Sequence, residues 1–322
     1  MATNHARSPL AALRSILIAG PTAVGKSEVA LALAERIGGE IISVDAMQVY
    51  RGLDIGTAKP ALRERQRVRH HLIDVVELNE PFDAARFSKL ARAAVADIQQ
   101  RGAVPILCGG TGLYFKAFLE GLGGAPAANA PLRDELEAVP LPELLRELEK
   151  NDPLTFANID RRNPRRVIRA LEVSRLTGTP FSAQRSRRNP DFPALNSQPF
   201  LGLIRSNEDL RGRIDARVDA MFARGLVKET EQLLNRGLAE NKTAMQAIGY
   251  RQVVDQLRHE RSLEETIARV KQRTRQFAKR QMTWFRRQFR LDWLHCAPQA
   301  IPESVADTLL ERVASRQSAE ST

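Results

Sequence analysis

Short apolar runs alternate with amphipathic stretches along the first 120 residues. The apolar runs predict buried strands at residues 15–19, 40–44, 71–76, 104–108 and, further along, 200–204. Segments with apolar positions every three to four residues predict helices at 27–37 and 84–100. Strands that alternate with helices indicate an α/β fold with a doubly wound, mostly parallel sheet, in which ligands bind beyond the carboxyl ends of the strands.

The alternating pattern stops after residue 120. A Gly-, Ala- and Pro-rich linker begins at Gly121, two or three helical segments follow, and a Pro-, Ser- and Arg-rich return covers 180–199. Two long helices that pack back on the core are predicted at 208–236 and 263–287. We therefore expect a discontinuous core at 10–120 and 200–315, a helical basic insertion at 121–199, and a polar tail at 316–322.

Composition narrows the class of protein. The 322 residues are 43% apolar and 27% charged, which is typical of a folded protein. No apolar run approaches the ~20 residues that a membrane-spanning helix requires. Cys108 and Cys296 form no Cys-x-x-Cys pair, so neither a disulfide framework nor a zinc site is predicted. We expect a cytoplasmic protein that does not bind membranes.

The positive charge is concentrated in two segments. Residues 161–188 contain nine Arg and one acid, and residues 269–290 contain nine Arg or Lys and no acid. The formal net charge of the whole chain is +11. Localised positive charge favours a polyanionic partner, although two solvated helical faces would give the same pattern.

A glycine-rich segment between the first predicted strand and helix fits the pattern G-x-x-x-x-G-K-[ST]. This glycine loop consists of Gly20, Pro21, Thr22, Ala23, Val24, Gly25, Lys26 and Ser27. Its backbone N–H groups and Lys26 predict a site for two linked phosphates, with the Ser27 hydroxyl available to Mg²⁺. A nucleotide is the default ligand, but any diphosphate ester would satisfy these donors. The core is thus predicted to be P-loop NTPase-like.

Asp45 follows the second predicted strand, at the same edge of the sheet as the glycine loop. A carboxylate at this place can accept a proton from an acceptor group or help to position Mg²⁺. It can equally cap the following turn through its side chain. Spacing alone leaves both interpretations open.

Further motifs accompany the glycine loop and Asp45. They lie at residues 42–50 (ISVDAMQVY), 54–60 (DIGTAKP), 109–114 (GGTGLY), 163–172 (NPRRVIRALE), 248–252 (IGYRQ) and 275–285 (RQFAKRQMTWF). Together they resemble the tRNA dimethylallyltransferases, the bacterial tRNA isopentenyltransferases, over about residues 16–293. Apart from the glycine loop, these motifs are not shared with nucleotide kinases. The first fifteen residues and the tail follow no family pattern, and no zinc module of the eukaryotic kind follows Trp293.

The resemblance implies a prenyl transfer to tRNA. In this reaction N6 of the adenosine 3′ of the anticodon attacks C1 of dimethylallyl diphosphate, and diphosphate leaves. It implies that Asp45 is the base, that Thr22 and Arg217 contact the diphosphate as further catalytic residues, and that the glycine loop binds the diphosphate with Mg²⁺ at Ser27. A monomer that binds the tRNA anticodon stem-loop is expected.

The resemblance also implies a set of residues that contact tRNA. They are Asp45, Ala46, Met47, Gln48, Thr111, Arg133, Arg165, Arg166, Val167, Ile168, Arg169, Gln246, Ala247, Ile248, Gly249, Tyr250, Arg251, Lys279, Arg280, Gln281 and Arg286. Gln48 can read a base edge or can be a solvent-facing turn residue. Thr111 can contact tRNA or serve only its turn. Arg217 can instead belong to a surface flank, where Asp209 would pair with Arg213.

Helical geometry supports an extended basic surface. Arg269, Arg273, Arg280 and Arg287 fall on one ridge of the second long helix, beside a predicted core stripe of Val270, Phe277 and Trp284. Asn163 and Pro164 are predicted to begin the other basic helix, on which Arg165 and Arg169 share a face.

Three other functions remain open. A P-loop kinase for small molecules would explain the glycine loop and Asp45 but not the basic segments. An adenylate isopentenyltransferase would not need the insertion. A non-catalytic RNA-binding module would leave the glycine loop without a role.

Overall fold

Six parallel strands form the central sheet in a computed structural model of the protein, which describes residues 15–123, 125–185 and 198–320. The strands are β1 (Ile16–Ala19), β2 (Gly39–Val44), β3 (His70–His71), β4 (Val104–Gly109), β5 (Phe200–Ile204) and β6 (Asp292–His295). Their order in the sheet is β3-β2-β4-β1-β5-β6, and every pairing is parallel. The predicted α/β parallel fold is confirmed.

Fourteen α-helices lie within the described ranges. They are α1 (Lys26–Ile37), α2 (Leu62–Arg67), α3 (Ala84–Gln100), α4 (Gly112–Glu120), α5 (Ala130–Ala138), α6 (Leu141–Asn151), α7 (Pro153–Asn158), α8 (Pro164–Thr177), α9 (Phe181–Arg185), α10 (Asn207–Ala223), α11 (Leu226–Leu234), α12 (Tyr250–Leu257), α13 (Leu263–Gln288) and α14 (Pro302–Glu320). Within the described residues, no helix has both the length and the apolar character needed to cross a membrane.

The chain divides into two compact units. Among the described residues, the first unit contains the sheet and covers 15–115 and 198–320, and the second covers 116–185 apart from residue 124. The predicted insertion began a few residues later, at 121, and ended at 199.

The core of the first unit lies around β1. All four of its side chains are buried, as expected for a strand with a neighbour on each side and helices on its faces. Helix α1 covers one face and buries Val29, Leu31 and Leu33, and α14 packs against α1.

The second unit is a small helical bundle with its own core, formed by Leu136, Leu144, Leu148, Val167, Ile168, Ala170 and Leu171. Asn163 caps α8 by accepting a hydrogen bond from the backbone N–H of Arg166, and Pro164 occupies the first turn. The predicted start of this basic helix is confirmed.

Several predicted elements are corrected. The strand expected at 71–76 is only two residues long, because Leu72 and Asp74 have positive φ angles of 59° and 55°, which end the extended conformation. The single helix expected at 208–236 is two helices, since Gly225 breaks it with a φ of 96° and becomes the N-cap of α11. The described part of the second unit, up to residue 185, holds five helices of its own, α5 to α9, rather than two or three.

The C-terminal part also differs from the prediction. A sixth strand, β6, was not predicted, and α14 continues to Glu320, so most of the predicted polar tail is helical. Residues 186–197 of the predicted Pro-rich return lie outside the described residues.

Candidate active site

Three neighbouring strands end at the same level and bring the predicted site together. In the register of the sheet, Gly109 of β4 pairs with Ala19 of β1 on one side and with Val44 of β2 on the other. The segments that follow these strands are the glycine loop, Asp45 and the turn that carries Thr111. The carboxyl edge of the sheet is therefore the candidate active site.

The backbone of the glycine loop requires its glycines. Gly20 has a φ of 150°, and a Cβ there would lie 2.6 Å from the carbonyl oxygen of Leu203. Gly25 has a φ of 107° and is the N-cap of α1. Ala23 also has a positive φ, 65°, which is an unfavourable conformation for a residue with a side chain. The loop is thus held in a strained shape by its surroundings.

Cationic side chains fix the carbonyl groups of the loop. Three carbonyl oxygens accept a hydrogen bond from such a side chain: Pro21 from Lys26 Nζ (2.7 Å), Ala23 from Arg213 Nε (2.8 Å) and Val24 from Arg205 Nε (2.9 Å). Because these oxygens are occupied, the loop can present N–H groups and positive charge to an anion. The alternative in which Asp209 pairs with Arg213 is wrong, since Asp209 pairs with Arg205 at 2.9 Å.

Arg217 also reaches the glycine loop. Its guanidinium donates a hydrogen bond to the Thr22 hydroxyl at 3.3 Å. Burial lowers the pKa of Arg217 below its usual value, and the neighbouring Arg213 acts in the same direction. A half-buried cation next to a second cation favours a bound anion.

Lys26 is the second cation whose titration is perturbed. Burial lowers its pKa from 10.5 to about 8. The negative charge of Asp45 opposes this effect at Lys26 and also favours the charged form of Arg217. Asp45 therefore lies within electrostatic reach of both Lys26 and Arg217.

The two carboxylate oxygens of Asp45 have different environments. Oδ1 accepts hydrogen bonds from the backbone N–H groups of Met47 (2.8 Å) and Gln48 (3.2 Å). Among the described residues, none donates a hydrogen bond to Oδ2. Capping and proton transfer are therefore compatible: one oxygen fixes the turn and the other is available to a substrate.

The amide of Gln48 has internal partners. Its Oε1 accepts a hydrogen bond from Ser43 Oγ at 2.9 Å, and its Nε2 donates to the carbonyl oxygens of Thr57 (3.2 Å) and Ala58 (3.4 Å). The alternative of a solvent-facing side chain is therefore wrong. A base-reading role would require Gln48 to exchange or share these bonds.

Gln281 joins the glycine loop to the turn after β4. Its Oε1 accepts from the backbone N–H of Thr22, and its Nε2 donates to the carbonyl oxygen of Gly110, both at 2.9 Å. A Cβ at Gly110 would lie 2.3 Å from that Nε2. In the same turn, Thr111 Oγ1 accepts from the backbone N–H of Ala46 at 3.2 Å, next to Asp45.

The residues of the first unit with an implied tRNA contact differ in accessibility. Gln246, Arg251, Lys279, Arg280 and Arg286 are exposed; Ala46, Met47, Thr111 and Ile248 are half-buried; Ala247, Gly249, Tyr250 and Gln281 are buried. The Tyr250 and Gln281 side chains are occupied by hydrogen bonds inside the protein, and the tRNA contacts at these two positions stay predictions.

The basic ridge of α13 is largely exposed. Arg273, Arg280 and Arg287 face solvent, and Arg269 is half-buried. The buried stripe differs from the predicted one and consists of Thr266, Val270, Ala278, Gln281 and Phe285. Phe277 and Trp284 lie at its margin, and the Phe277 ring lies under the Arg280 guanidinium at 5.9 Å.

The basic helix of the second unit has two kinds of arginine. Arg165 and Arg166 are exposed, whereas Arg169 binds the fully buried carboxylate of Glu172 at 2.6 Å, as does Arg133 of α5 at 2.9 Å. Val167 and Ile168 are 0% and 7% exposed and belong to the core. Their side chains therefore pack inside the bundle, and a tRNA contact at these two positions stays a prediction.

Sequence reasoning missed a second layer of residues behind the site. Lys59 is buried and donates to Tyr50 O, Asp54 and Asp74 at 2.5 to 2.9 Å. Glu229 accepts from the backbone of the 54–59 segment. The 54–60 motif includes Lys59 and could have drawn attention to it, but nothing local marks Glu229.

Comparisons with known proteins show the family to which the chain belongs. The sequence model of the IPP transferase family matches residues 48–288. The tRNA dimethylallyltransferase of Pelotomaculum thermopropionicum is 43% identical over 313 residues, which cover 96% of this chain and 98% of that protein. The crystal structure of the full-length tRNA isopentenylpyrophosphate transferase from Bacillus halodurans is 38% identical with a TM-score of 0.68, covering 95% of this chain and 99% of that one.

A second solved structure is that of a eukaryotic dimethylallyltransferase acting on tRNA. It is 32% identical with a TM-score of 0.75, and the alignment covers 93% of this chain and 77% of that chain. Because the family model matches most of the chain and these relatives align over nearly its whole length, the chain belongs to the IPP transferase family and is a prenyltransferase.

Proposed function

We propose that this protein transfers the dimethylallyl group of dimethylallyl diphosphate to N6 of the adenosine 3′ of the anticodon in tRNA. N6 forms a bond to C1 while the C1–O bond breaks, and both bonding electrons leave with diphosphate. The N6 proton passes to Asp45. The observation that carries the proposal is that the cationic glycine loop lies near the Asp45 carboxylate, in which Oδ1 is held by two backbone N–H groups and Oδ2 is available.

The cations of the glycine loop would stabilise the leaving group. Charge accumulates on diphosphate as the C1–O bond breaks, so donors fixed before the reaction bind the transition state more tightly than the substrate. Lys26 and Arg217 are both held near Asp45 and the loop. Lys26 must turn from the carbonyl of Pro21 to reach the diphosphate.

The donor set also fits Mg²⁺. Ser27 is exposed in the first turn of α1 and offers a hydroxyl oxygen, the type of ligand that Mg²⁺ prefers together with phosphate oxygens and water. When bound, Mg²⁺ would neutralise part of the diphosphate charge.

Asp45 would act on the nucleophile. N6 of adenine is a weak nucleophile because its lone pair is delocalised into the ring. A carboxylate that accepts its proton as the new bond forms contributes roughly 10²- to 10⁴-fold. The bonds from Met47 and Gln48 to Oδ1 would keep Oδ2 in one place for this transfer.

Each of the two units has exposed arginines that could bind RNA. Arg165 and Arg166 on α8, and Arg280 and Arg286 on α13, are accessible to phosphate groups. Attack by N6 requires the adenine to leave its stack, which costs a few kcal/mol and less for a nucleotide in a loop. We further infer that the protein works as a cytoplasmic monomer.

One assay separates this function from its alternatives. The protein is incubated with dimethylallyl diphosphate, Mg²⁺ and either tRNA or AMP, and the nucleosides obtained by digestion are analysed by mass spectrometry. Prenylated adenosine from tRNA alone is the expected result. Prenylated AMP would favour an adenylate isopentenyltransferase, and ATP consumption with a phosphorylated small acceptor would favour a kinase. A tRNA in which the nucleotide directly 3′ of the anticodon is not adenosine is the matched negative control.

A further inference from the structure

Glu229 of α11 binds the segment 54–59 through its backbone. The two carboxylate oxygens accept from the N–H of Ile55 at 2.8 and 2.9 Å, and Oε1 also accepts from the N–H of Gly56 at 3.2 Å. The hydroxyl of Tyr250 donates to the same Oε1 at 2.6 Å and accepts from Gly56 at 3.1 Å. One carboxylate thus ties α11 and α12 to this segment.

The contact leaves no room for a side chain at Gly56. A Cβ there would lie 2.5 Å from the ring of Tyr250, which is fully buried. The segment is also closed on itself, since Ala58 N–H donates to Ile55 O and Lys59 N–H to Asp54 O, both at 3.0 Å. It therefore behaves as a rigid turn whose position is set by Glu229 and Tyr250.

The other end of the same turn, at Thr57 and Ala58, contacts the candidate active site through Gln48. The carbonyl oxygens of Thr57 and Ala58 accept hydrogen bonds from Gln48 Nε2, and the backbone N–H of Gln48 donates to Asp45 Oδ1. Hydrogen bonds, together with the short stretches of chain between them, thus connect Glu229 through the turn and Gln48 to the carboxylate of Asp45.

We propose that Glu229 is a positioning residue that, together with Tyr250, sets the orientation of the Asp45 carboxylate. The proposal rests on the proposed function, in which Asp45 receives the N6 proton. A carboxylate that is free to rotate would lose the geometry that proton transfer needs, and a displacement of about 1 Å can cost roughly a hundredfold in rate.

The variant Glu229→Gln removes the negative charge. It also places an amide N–H₂, which cannot accept a hydrogen bond, against the N–H groups of Ile55 and Gly56 and the Tyr250 hydroxyl. The fold should survive, because Lys59 independently anchors the turn through Tyr50 O, Asp54 and Asp74. Tyr250→Phe is the second, milder variant, since it leaves the bonds from Glu229 to Ile55 and Gly56 in place. Glu231→Gln is the matched control, because Glu231 is an exposed acid on the same helix.

The measurement is the single-turnover rate constant of prenyl transfer with enzyme in excess over tRNA. This constant does not depend on the fraction of folded enzyme, so a purely structural role would leave it unchanged. We expect Glu229→Gln to lower it by about tenfold, Tyr250→Phe by about threefold, and Glu231→Gln by less than about twofold. The dissociation constants for tRNA and dimethylallyl diphosphate should change by less than about twofold.

A double-mutant cycle tests the route through Asp45. In an Asp45→Asn background, Glu229→Gln should lower the rate by less than about twofold further, since both act on the same proton transfer. Multiplicative losses, or an unchanged rate in Glu229→Gln while Asp45→Asn is impaired, would overturn the positioning role alone. A near-normal rate in Asp45→Asn would instead overturn the proposed base, and with it the route from Glu229.

Discussion

Gln281 accepts a hydrogen bond from the backbone N–H of Thr22 at 2.9 Å, although 259 positions separate them in the chain. The same amide donates to the carbonyl oxygen of Gly110. One buried side chain of α13 therefore fixes the distance between the loop that would bind diphosphate and the turn that lies next to Asp45.

Replacing Gln281 by Leu should destabilise the protein without lowering its affinity for tRNA. The change leaves the Thr22 N–H and the Gly110 carbonyl without their partner, and each unsatisfied buried group costs about 1–3 kcal/mol. We expect the free energy of unfolding, measured in urea, to fall by about 2–4 kcal/mol, with tRNA affinity nearly unchanged.

The neighbouring Arg280→Gln provides the comparison, since Arg280 is exposed. It should weaken tRNA binding and leave the unfolding free energy within about 0.5 kcal/mol of the parent. A reversed pattern, with Gln281→Leu losing tRNA affinity at unchanged stability, would show that Gln281 contacts the RNA directly.

Replacing Asp45 by Asn should separate binding from chemistry. The remaining carbonyl oxygen can still accept from Met47 and Gln48, so the turn is preserved, but the proton acceptor is lost. We expect the single-turnover rate to fall by at least about a hundredfold, with tRNA and diphosphate affinities retained. A rate close to that of the parent protein would remove Asp45 from the base role.

The affinity for inorganic diphosphate should weaken above pH 8. The pKa of Lys26 is lowered to about 8, so its charged form is lost as the pH rises through this value, while a bound anion favours the charged form. The dissociation constant at pH 9 should be about tenfold higher than at pH 7. It can be measured by isothermal titration calorimetry at fixed Mg²⁺.

Lys26→Arg is the control, because an arginine keeps its charge over this range. Its diphosphate affinity should not show the change between pH 7 and 9. The stability of the protein without ligand should change in the opposite direction. Burial penalises the charged form of Lys26 below pH 8, so the free energy of unfolding should rise as the pH increases above 8 and Lys26 loses its proton. A drop in affinity of equal size in Lys26→Arg would assign the effect to another group.

Salt should weaken tRNA binding through the exposed arginines. Each phosphate contact that is lost lowers the slope of log affinity against log salt concentration by about one. Arg165→Ala should show this reduction. Arg175→Ala on the same helix should change the slope less, because Arg175 already pairs with Glu135 and Glu147. Equal slopes for the parent protein and Arg165→Ala would mean that Arg165 faces only solvent in the complex.

The sheet and most of its helices could be predicted because their signals are local. The four side chains of β1 form an apolar run, and the stretch predicted at 84–100 coincides with α3. The elements that were missed depend on other contacts. Strand β6 contains Asp292 and His295 and has no apolar run, and it exists because it pairs with β5.

The residues expected around the diphosphate could be predicted from the glycine-loop motif and from the resemblance to the tRNA dimethylallyltransferases. Their supporting contacts could not, since Gln281 and Glu229 act on segments more than 170 positions away. The same limit affects the RNA surface. A contiguous motif such as 165–169 lies on a helix, which turns Arg165 outwards and Val167 into the core, and a motif alone does not show which residues face solvent.

The hydrogen bond between Lys26 and Pro21 holds an ammonium group of the protein against the glycine loop. A diphosphate ester would therefore bind to a loop whose backbone is already fixed in the folded protein, and little conformational entropy of the chain would be lost on binding. Release should be correspondingly easy after the reaction, because the ammonium has a carbonyl to return to when the inorganic product departs.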